Sequence, residues 1–291
     1  LTGGFAPDEY WERRLREHFD LEGVGYLRLG RRYNEWMYRV RGEVFDRVVG
    51  ELLGQAGGRA GGRAGGQADR GAGGQAGRRA GGRLRVLDVG SGTGFYVDRW
   101  LALGADVTGL DLTEVAIQRL RKRFPSARFT QANIGQPLAP PLAAEVGEYD
   151  VVSAFDVLFH VVDDREYQRA LENIGSVLRP GGWFLWSDNF IHQATVRIAH
   201  QVSRSLDEIT RALARAGFEI VTRVPMFVLM NYPADTASRI RKWVWTALMT
   251  PAMVSDRLGG WLGAALYPLE RRLVASRRES PSTELMVCRR R

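Results

Sequence analysis

The run Arg85-Val86-Leu87-Asp88-Val89-Gly90-Ser91-Gly92-Thr93-Gly94 restricts the fold of this 291-residue chain more than any other stretch. Val86, Leu87 and Val89 read as a buried strand, and Asp88 sets a carboxylate near its end. Three glycines in the next five residues let backbone and ligand approach closely. A strand that passes through such a turn into a helix is a seat for a nucleoside-bearing cofactor.

From Arg83 onward the pattern alternates strand and helix, the signature of a parallel sheet covered on both faces. Strands are expected over 84–89, 106–110, 127–131, 149–155, 183–187, 218–222 and 283–288, about seven by pattern. Helices fall between them, one closed by Pro125 and one stopped by Arg179-Pro180-Gly181-Gly182. Ser205-Leu206-Asp207-Glu208 has the form of a capping box ahead of another helix.

Segments of other character flank this core. Residues 1–53 read as a helical cap: an amphipathic helix over 8–19 with Trp11, Leu15, His18 and Phe19 on one face, then a longer one over 31–53. Residues 54–83 repeat Gly-Gly-Arg-Ala and Gly-Gly-Gln-Ala units with little to bury, the composition of a flexible linker. The core spans 84–224. Residues 225–280 hold two amphipathic helices, broken at Pro251 and flanked by Arg239, Arg241, Lys242, Arg271 and Arg272. Too interrupted to span a bilayer, they suit a lid over an apolar substrate or, through 236–274, contact with a membrane surface. Residues 281–291 give a final strand and a basic tail.

The net charge of +8 is concentrated partly in the repeat and in Arg289-Arg290-Arg291, so it argues only weakly for a nucleic-acid partner. Cys288 is the single cysteine, which excludes a disulfide scaffold and a zinc cluster built on thiolates. The opening residues lack a secretory pattern, and the expected location is the cytoplasm. No resident metal is expected, because Asp156, His160 and His192 have no ligand spacing.

The glycine turn reads G-x-G-x-G, with Phe95 where a dinucleotide site places its last glycine. A pyrophosphate seat is therefore disfavoured, and the turn suits a cofactor without phosphates. Asp111 ends the second strand, where a carboxylate accepts hydrogen bonds from ribose hydroxyls; Asn133 follows the third, where an amide reads an adenine edge. Val86 to Gly94, Gly109 to Leu112, Gln131 to Ile134, Tyr149 to His160 and Leu178 to Gly182 together resemble the ordered motifs of the class I S-adenosylmethionine-dependent methyltransferases, of small-molecule type. The resemblance covers about 84–222 and the final strand. It implies a Rossmann-like α/β fold, a seven-stranded, mostly parallel sheet whose last strand is antiparallel, and S-adenosyl-L-methionine as cofactor. By the same resemblance Asp88, Gly90, Gly92 and Gly94 line the methionine side, Leu112 and Ile134 flank the adenine, and Ala154 or Phe155 stands at the reactive end. Many relatives carry aspartate at the position of Asn133. Tyr33 and Arg41, from the N-terminal cap, are candidates for the cofactor carboxylate.

Methyl transfer asks the protein to align the acceptor and, for a hydroxyl, to remove its proton. The candidate bases are His160 and Asp156 after the fourth strand and His192 after the fifth. The acceptor implied is a small, apolar or aromatic molecule methylated at oxygen. Two other classes stay open: a methyltransferase acting on RNA or another nucleic acid, and a non-catalytic module that binds S-adenosylmethionine for a partner.

Overall fold

The computed structural model describes residues 6–58 and 82–291. Two helices open it, α1 (Pro7–Glu17) and α2 (Gly30–Gly58), and then β1 (Arg85–Val89), α3 (Phe95–Ala102), β2 (Asp106–Asp111), α4 (Glu114–Arg123) and β3 (Arg128–Gln131). There follow β4 (Tyr149–Phe155), α5 (Asp164–Val177), β5 (Leu178–Asp188), a small hairpin of β6 (Val196–Ile198) and β7 (Gln201–Ser203), α6 (Leu206–Arg215) and β8 (Phe218–Pro225). Helices α7 (Arg239–Val254) and α8 (Asp256–Ser276) precede the last strand, β9 (Glu284–Arg290).

Seven strands form one sheet in the order β3-β2-β1-β4-β5-β9-β8. β1 to β5 are parallel, and β9 runs antiparallel between β5 and β8. This is the Rossmann-like sheet with one reversed strand that the motifs imply. Strand order reverses direction between β1 and β4, which opens a crevice at their carboxyl ends.

Side chains alternate across the sheet with the two-residue period of a strand. Val86 of β1, Val107 of β2 and Val151 of β4 face α2, α3 and α4, packing with Val44, Phe45, Trp100 and Leu120. Leu87, Val89 and Val152 face the opposite way, against Leu171 and Ile174 of α5 and Leu213 of α6. The two buried layers explain why the strands read as apolar runs rather than as half-polar ones.

Three local expectations change. Helix α2 continues to Gly58, beyond the boundary expected at 53; the rest of the expected linker, up to residue 81, lies outside the described residues. Arg179 to Gly182 do not end a helix in a loop but bulge out of β5: Tyr149 pairs with Leu178, and pairing resumes with Val151 opposite Trp183. Pro251 does not break α7, which runs through it to Val254. Pro251 and Ala247 are both exposed, so the carbonyl that a proline four residues on leaves unbonded lies on the solvent side of the helix.

Helix α8 packs along α2. A Cβ on Gly263 would lie 2.5 Å from Cδ1 of Trp36, and one on Gly259 3.3 Å from the carbonyl oxygen of Leu29, so the absence of side chains there sets the close approach. Glu270, fully buried, accepts hydrogen bonds from the backbone N–H groups of Val228 (2.6 Å) and Leu229 (2.8 Å) and ties the inserted helices to the end of β8.

Candidate functional site

A cavity of about 360 Å³ lies at the carboxyl ends of β1, β2, β3 and β4, at the switch in strand order. The turn after β1 forms its floor. The N–H groups of Gly90 and Ser91 both donate to the carbonyl of Leu110 (2.7 and 3.1 Å), which pins the turn against β2. Gly90 has φ of +69°, and a Cβ there would sit 2.3 Å from Cγ2 of Val157, so only glycine lets the loop after β4 close against this turn.

Gly90, Gly92, Asp111, Leu112, Asn133, Ile134, Phe155, Asp156 and His160 all line this one cavity. Asp111 is buried. Its Oδ2 accepts from the N–H of Gly92 (2.8 Å), and its Oδ1 from the N–H and hydroxyl of Thr113 (2.9 and 2.7 Å). Three of a carboxylate's roughly four acceptor directions are thus used inside the protein, and one remains. Burial pushes its pKa up from the ordinary carboxylate value, against the pull of those three donors. Asn133 Oδ1 accepts from the N–H of Gly135 (2.9 Å), so its own turn claims the carbonyl and its NH2 is left to donate.

Asp88 and Gly94 do not line the cavity. The Asp88 side chain lies on the α3 face of the sheet, where Ser153 Oγ donates to its Oδ1 (2.7 Å) and Trp100 Nε1 donates to Ser153 (3.0 Å). Burial pushes its carboxyl up to about 7, the serine bond pulling the other way. Gly94 serves helix packing: a Cβ there would meet Phe124 at 2.5 Å and Leu120 at 2.7 Å.

The N-terminal candidates also fall elsewhere. Tyr33 is fully buried and donates its hydroxyl to the carbonyl of Met230 (2.9 Å), anchoring α2 to the insertion. Arg41, buried beneath the ring faces of Tyr38 and Phe227, does not line the cavity but forms an ion pair with Asp156. Asp156 is the one non-glycine residue with positive φ among those described, at 58°. It is held by Arg41 on one carboxylate oxygen and by the hydroxyl of Ser187 (2.9 Å) on the other, so it braces the end of β4 instead of standing free as a base.

His192 is half-exposed and lies outside the cavity. Asp235 takes both its backbone N–H (2.8 Å) and its Nδ1 (2.7 Å), fixing it to the segment before α7. His160 is the histidine the cavity contains. Its Nδ1 lies 2.8 Å from the carbonyl oxygen of His200, an acceptor, so Nδ1 carries the proton and Nε2 keeps its lone pair. Burial lowers its pKa to about 4, and the ring is neutral at physiological pH.

The roof of the cavity is α1, not the inserted helices. Pro7, Trp11 and Leu15 line it, and no residue of 225–280 does. Trp11 meets His160 edge to face, with ring centroids 4.8 Å apart. Arg14 holds α1 in place by donating from Nε to the carbonyl of Gly23 (2.6 Å) and from Nη2 to that of Gly25 (2.6 Å). Tyr38 and Tyr96 complete an aromatic wall with Phe155, whose ring stacks on Tyr96 at 3.9 Å. The amphipathic period of α1 announced a face in need of a partner; Tyr96 gave no signal, because its neighbours are set by tertiary packing.

Residues 86–182 match the family model of the methyltransferase domain. That stretch is a methyltransferase domain, and it resembles the domains of S-adenosylmethionine-dependent methyltransferases. This methyltransferase domain is 33% identical over 103 residues to the ubiquinone biosynthesis O-methyltransferase of Bordetella avium, covering 35% of this chain and 42% of that protein. It is 34% identical over 108 residues to the ubiquinone biosynthesis O-methyltransferase of Albidiferax ferrireducens, covering 35% and 40%. The matched part therefore spans about two-fifths of these curated relatives. Among solved structures, an S-adenosylmethionine-dependent methyltransferase from Mesorhizobium loti aligns over 72% of this chain and 92% of its own, with 20% identity and a TM-score of 0.45.

The cavity suits the cofactor of that family. Among the described residues lining it there is no Lys or Arg, whereas Asp111, Asp156, Asp163 and Glu166 all contribute. A pyrophosphate would meet repulsion there; a cofactor that carries a sulfonium cation and no phosphate would not.

Proposed function

We propose that this methyltransferase transfers the methyl group of S-adenosylmethionine to a hydroxyl oxygen of a small apolar or aromatic molecule held beneath α1. The observation that carries this reading is that His160, neutral and with Nε2 unprotonated, shares one aromatic-walled cavity with Asp111 and Asn133.

Asp111 offers its remaining acceptor direction to a ribose hydroxyl. Asn133 would donate its NH2 to an adenine ring nitrogen, and Leu112 and Ile134, which line the same cavity, would cover the faces of that ring. The turn from Gly90 to Thr93, which lines the cavity, would hold the methionine portion. When bound, the cofactor supplies a methyl group already activated by its positively charged sulfur. Trp11, Tyr38, Tyr96 and Phe155 would exclude water and orient the acceptor, and His160 Nε2 would take the proton that the hydroxyl loses on methylation, the sulfonium C–S bond breaking to leave a neutral thioether. Arg41 and Ser187 hold Asp156 so that the end of β4 keeps its shape.

The relatives named as O-methyltransferases favour oxygen as the acceptor atom. A nucleic-acid acceptor is disfavoured by the carboxylates in the cavity, which would repel its phosphates. The test is calorimetry with S-adenosylmethionine and its demethylated product, followed by transfer of labelled methyl to phenolic, lipid and RNA pools. Binding together with labelling of a phenolic or other hydroxyl compound is expected. Absence of cofactor binding overturns the reading, and labelling confined to RNA replaces the acceptor class.

A further inference from the structure

Helix α7 carries apolar residues on two faces. Its inward face carries Trp245, Met249 and Ala252, all buried, yet its outward face is apolar as well. Ile240, Trp243, Val244 and Leu248 recur at three- and four-residue spacings along that outward side and Val254 continues it, with Ile240 75%, Trp243 72% and Val254 76% exposed. The stripe is about 20 Å long at the rise of an α-helix. Helix α8 repeats the arrangement with Leu258, Trp261 and Leu269, of which Trp261 is 77% exposed, while Gly259, Gly263 and Val274 face inward. A soluble surface rarely displays two nearly bare tryptophans in line with aliphatic residues unless something covers them.

Charge identifies what covers them. Residues 239–278 contain eight Arg and Lys against two acidic residues, Asp256 and Glu270. Glu270 is buried and bonded to backbone, and Asp256 is bound by the N–H (2.8 Å) and Nε (3.3 Å) of Arg32. Beside Trp261 a groove of about 420 Å³ between α2 and α8 is lined by Arg32, Arg39 and Arg257 together with Glu35. Arg39 stacks over Trp36 in that groove at 4.2 Å, an arrangement that holds a guanidinium in place at an open surface. A second copy of the chain paired through α7 would bring Arg239, Arg241 and Lys242 toward the same cations of its partner. A layer of phosphates over hydrocarbon answers both the charge and the apolar stripe. No helix among the described residues is long and apolar enough to cross a membrane, so such contact lies along the surface.

We propose that the outward faces of α7 and α8 seat this protein on an anionic bilayer, with Trp243 and Trp261 entering the boundary between headgroups and acyl chains and the flanking arginines meeting lipid phosphate. The inference is independent of the acceptor, because these helices lie outside the cavity.

The test is co-sedimentation of the full chain with phosphatidylcholine vesicles, with and without phosphatidylglycerol, at low and high salt. The expected result is sedimentation with the phosphatidylglycerol vesicles, weaker by about tenfold or more with phosphatidylcholine alone and weakened by salt. The double variant Trp243→Ser, Trp261→Ser should lose about tenfold or more in vesicle affinity with its thermal unfolding unchanged, since both rings are exposed. Failure of the unaltered protein to sediment overturns the proposal. So does equal binding by the double variant, which would assign the lipid contact to other basic segments such as the arginine-containing repeat. A dimer in light scattering that the double variant converts to monomer would show a second copy to be the occupant instead.

Discussion

Arg41 of α2 forms a buried ion pair with Asp156, the residue that follows β4 in left-handed backbone conformation. The pair joins the N-terminal cap to the edge of the cavity. Desolvation works against the charged guanidinium, but Asp156 together with the Tyr96 and Tyr38 hydroxyls outweighs it, and the pKa of Arg41 is raised.

Arg41→Met should destabilise the fold by about 3 kcal/mol, the cost of leaving one buried partner uncompensated. The double variant Arg41→Met, Asp156→Asn should recover most of that loss. Urea unfolding of the three proteins measures it, and equal destabilisation in single and double variants would contradict the pairing.

His160→Gln should slow turnover by about a hundredfold, the range for loss of a positioned base, with cofactor binding nearly intact. Because its pKa is lowered to about 4, His160 stays unprotonated in the fold while an unfolded histidine takes up a proton near 6.5. Its contribution to stability is complete above pH 6.5 and is lost as the pH falls from 6.5 toward 4. The acid limb of the pH–rate profile should lie near pH 4, and the variant should lose that part of the stability profile.

Asp88 behaves in the opposite sense. With its carboxyl raised to about 7, the folded protein holds a proton that the unfolded chain releases near 3.8, so stability falls as pH rises between these values. Asp88→Asn keeps an acceptor for Ser153 and removes the buried charge. It should raise the melting temperature at pH 8 and flatten the profile between pH 4 and 7, which a series of thermal scans would resolve.

Gly90→Ala should cost about 1–2 kcal/mol from left-handed backbone alone, and more from the contact with Val157. Cofactor affinity should fall with it, because the loop after β4 must retreat. Adding Val157→Ala should restore the part due to the clash and leave the backbone part, a separation that calorimetry and denaturation together can read.

The sheet was legible because the central parallel strands are buried on both faces and largely apolar, and because Asp111 and Asn133 stand at strand ends whose positions the alternation fixes. Ser205 caps α6 as its spacing announced, with Oγ accepting from the N–H of Glu208. What escaped the sequence depends on contacts distant along the chain. Tyr33, Arg41 and His192 have the chemistry of site residues, yet Met230, Asp156 and Asp235 engage them elsewhere. The short hairpin of β6 and β7 carries Val196 and Ile198 exposed, so no burial pattern marked it. His200, whose carbonyl sets the His160 tautomer, is one of the two residues between those strands and the last one a local reading would connect with the site.

The placement of β9 has a consequence for biosynthesis. It occupies an interior slot of the sheet, between β5 and β8, although it is the last strand to be made. A nascent chain that has formed β1 to β5 still presents the open edge of β5, and β8 has no neighbour in the sheet until α7 and α8 have left the ribosome. Unpaired edges of this kind invite pairing with other chains. The emerging polypeptide is thus most vulnerable to aggregation until β9 itself has left the ribosome.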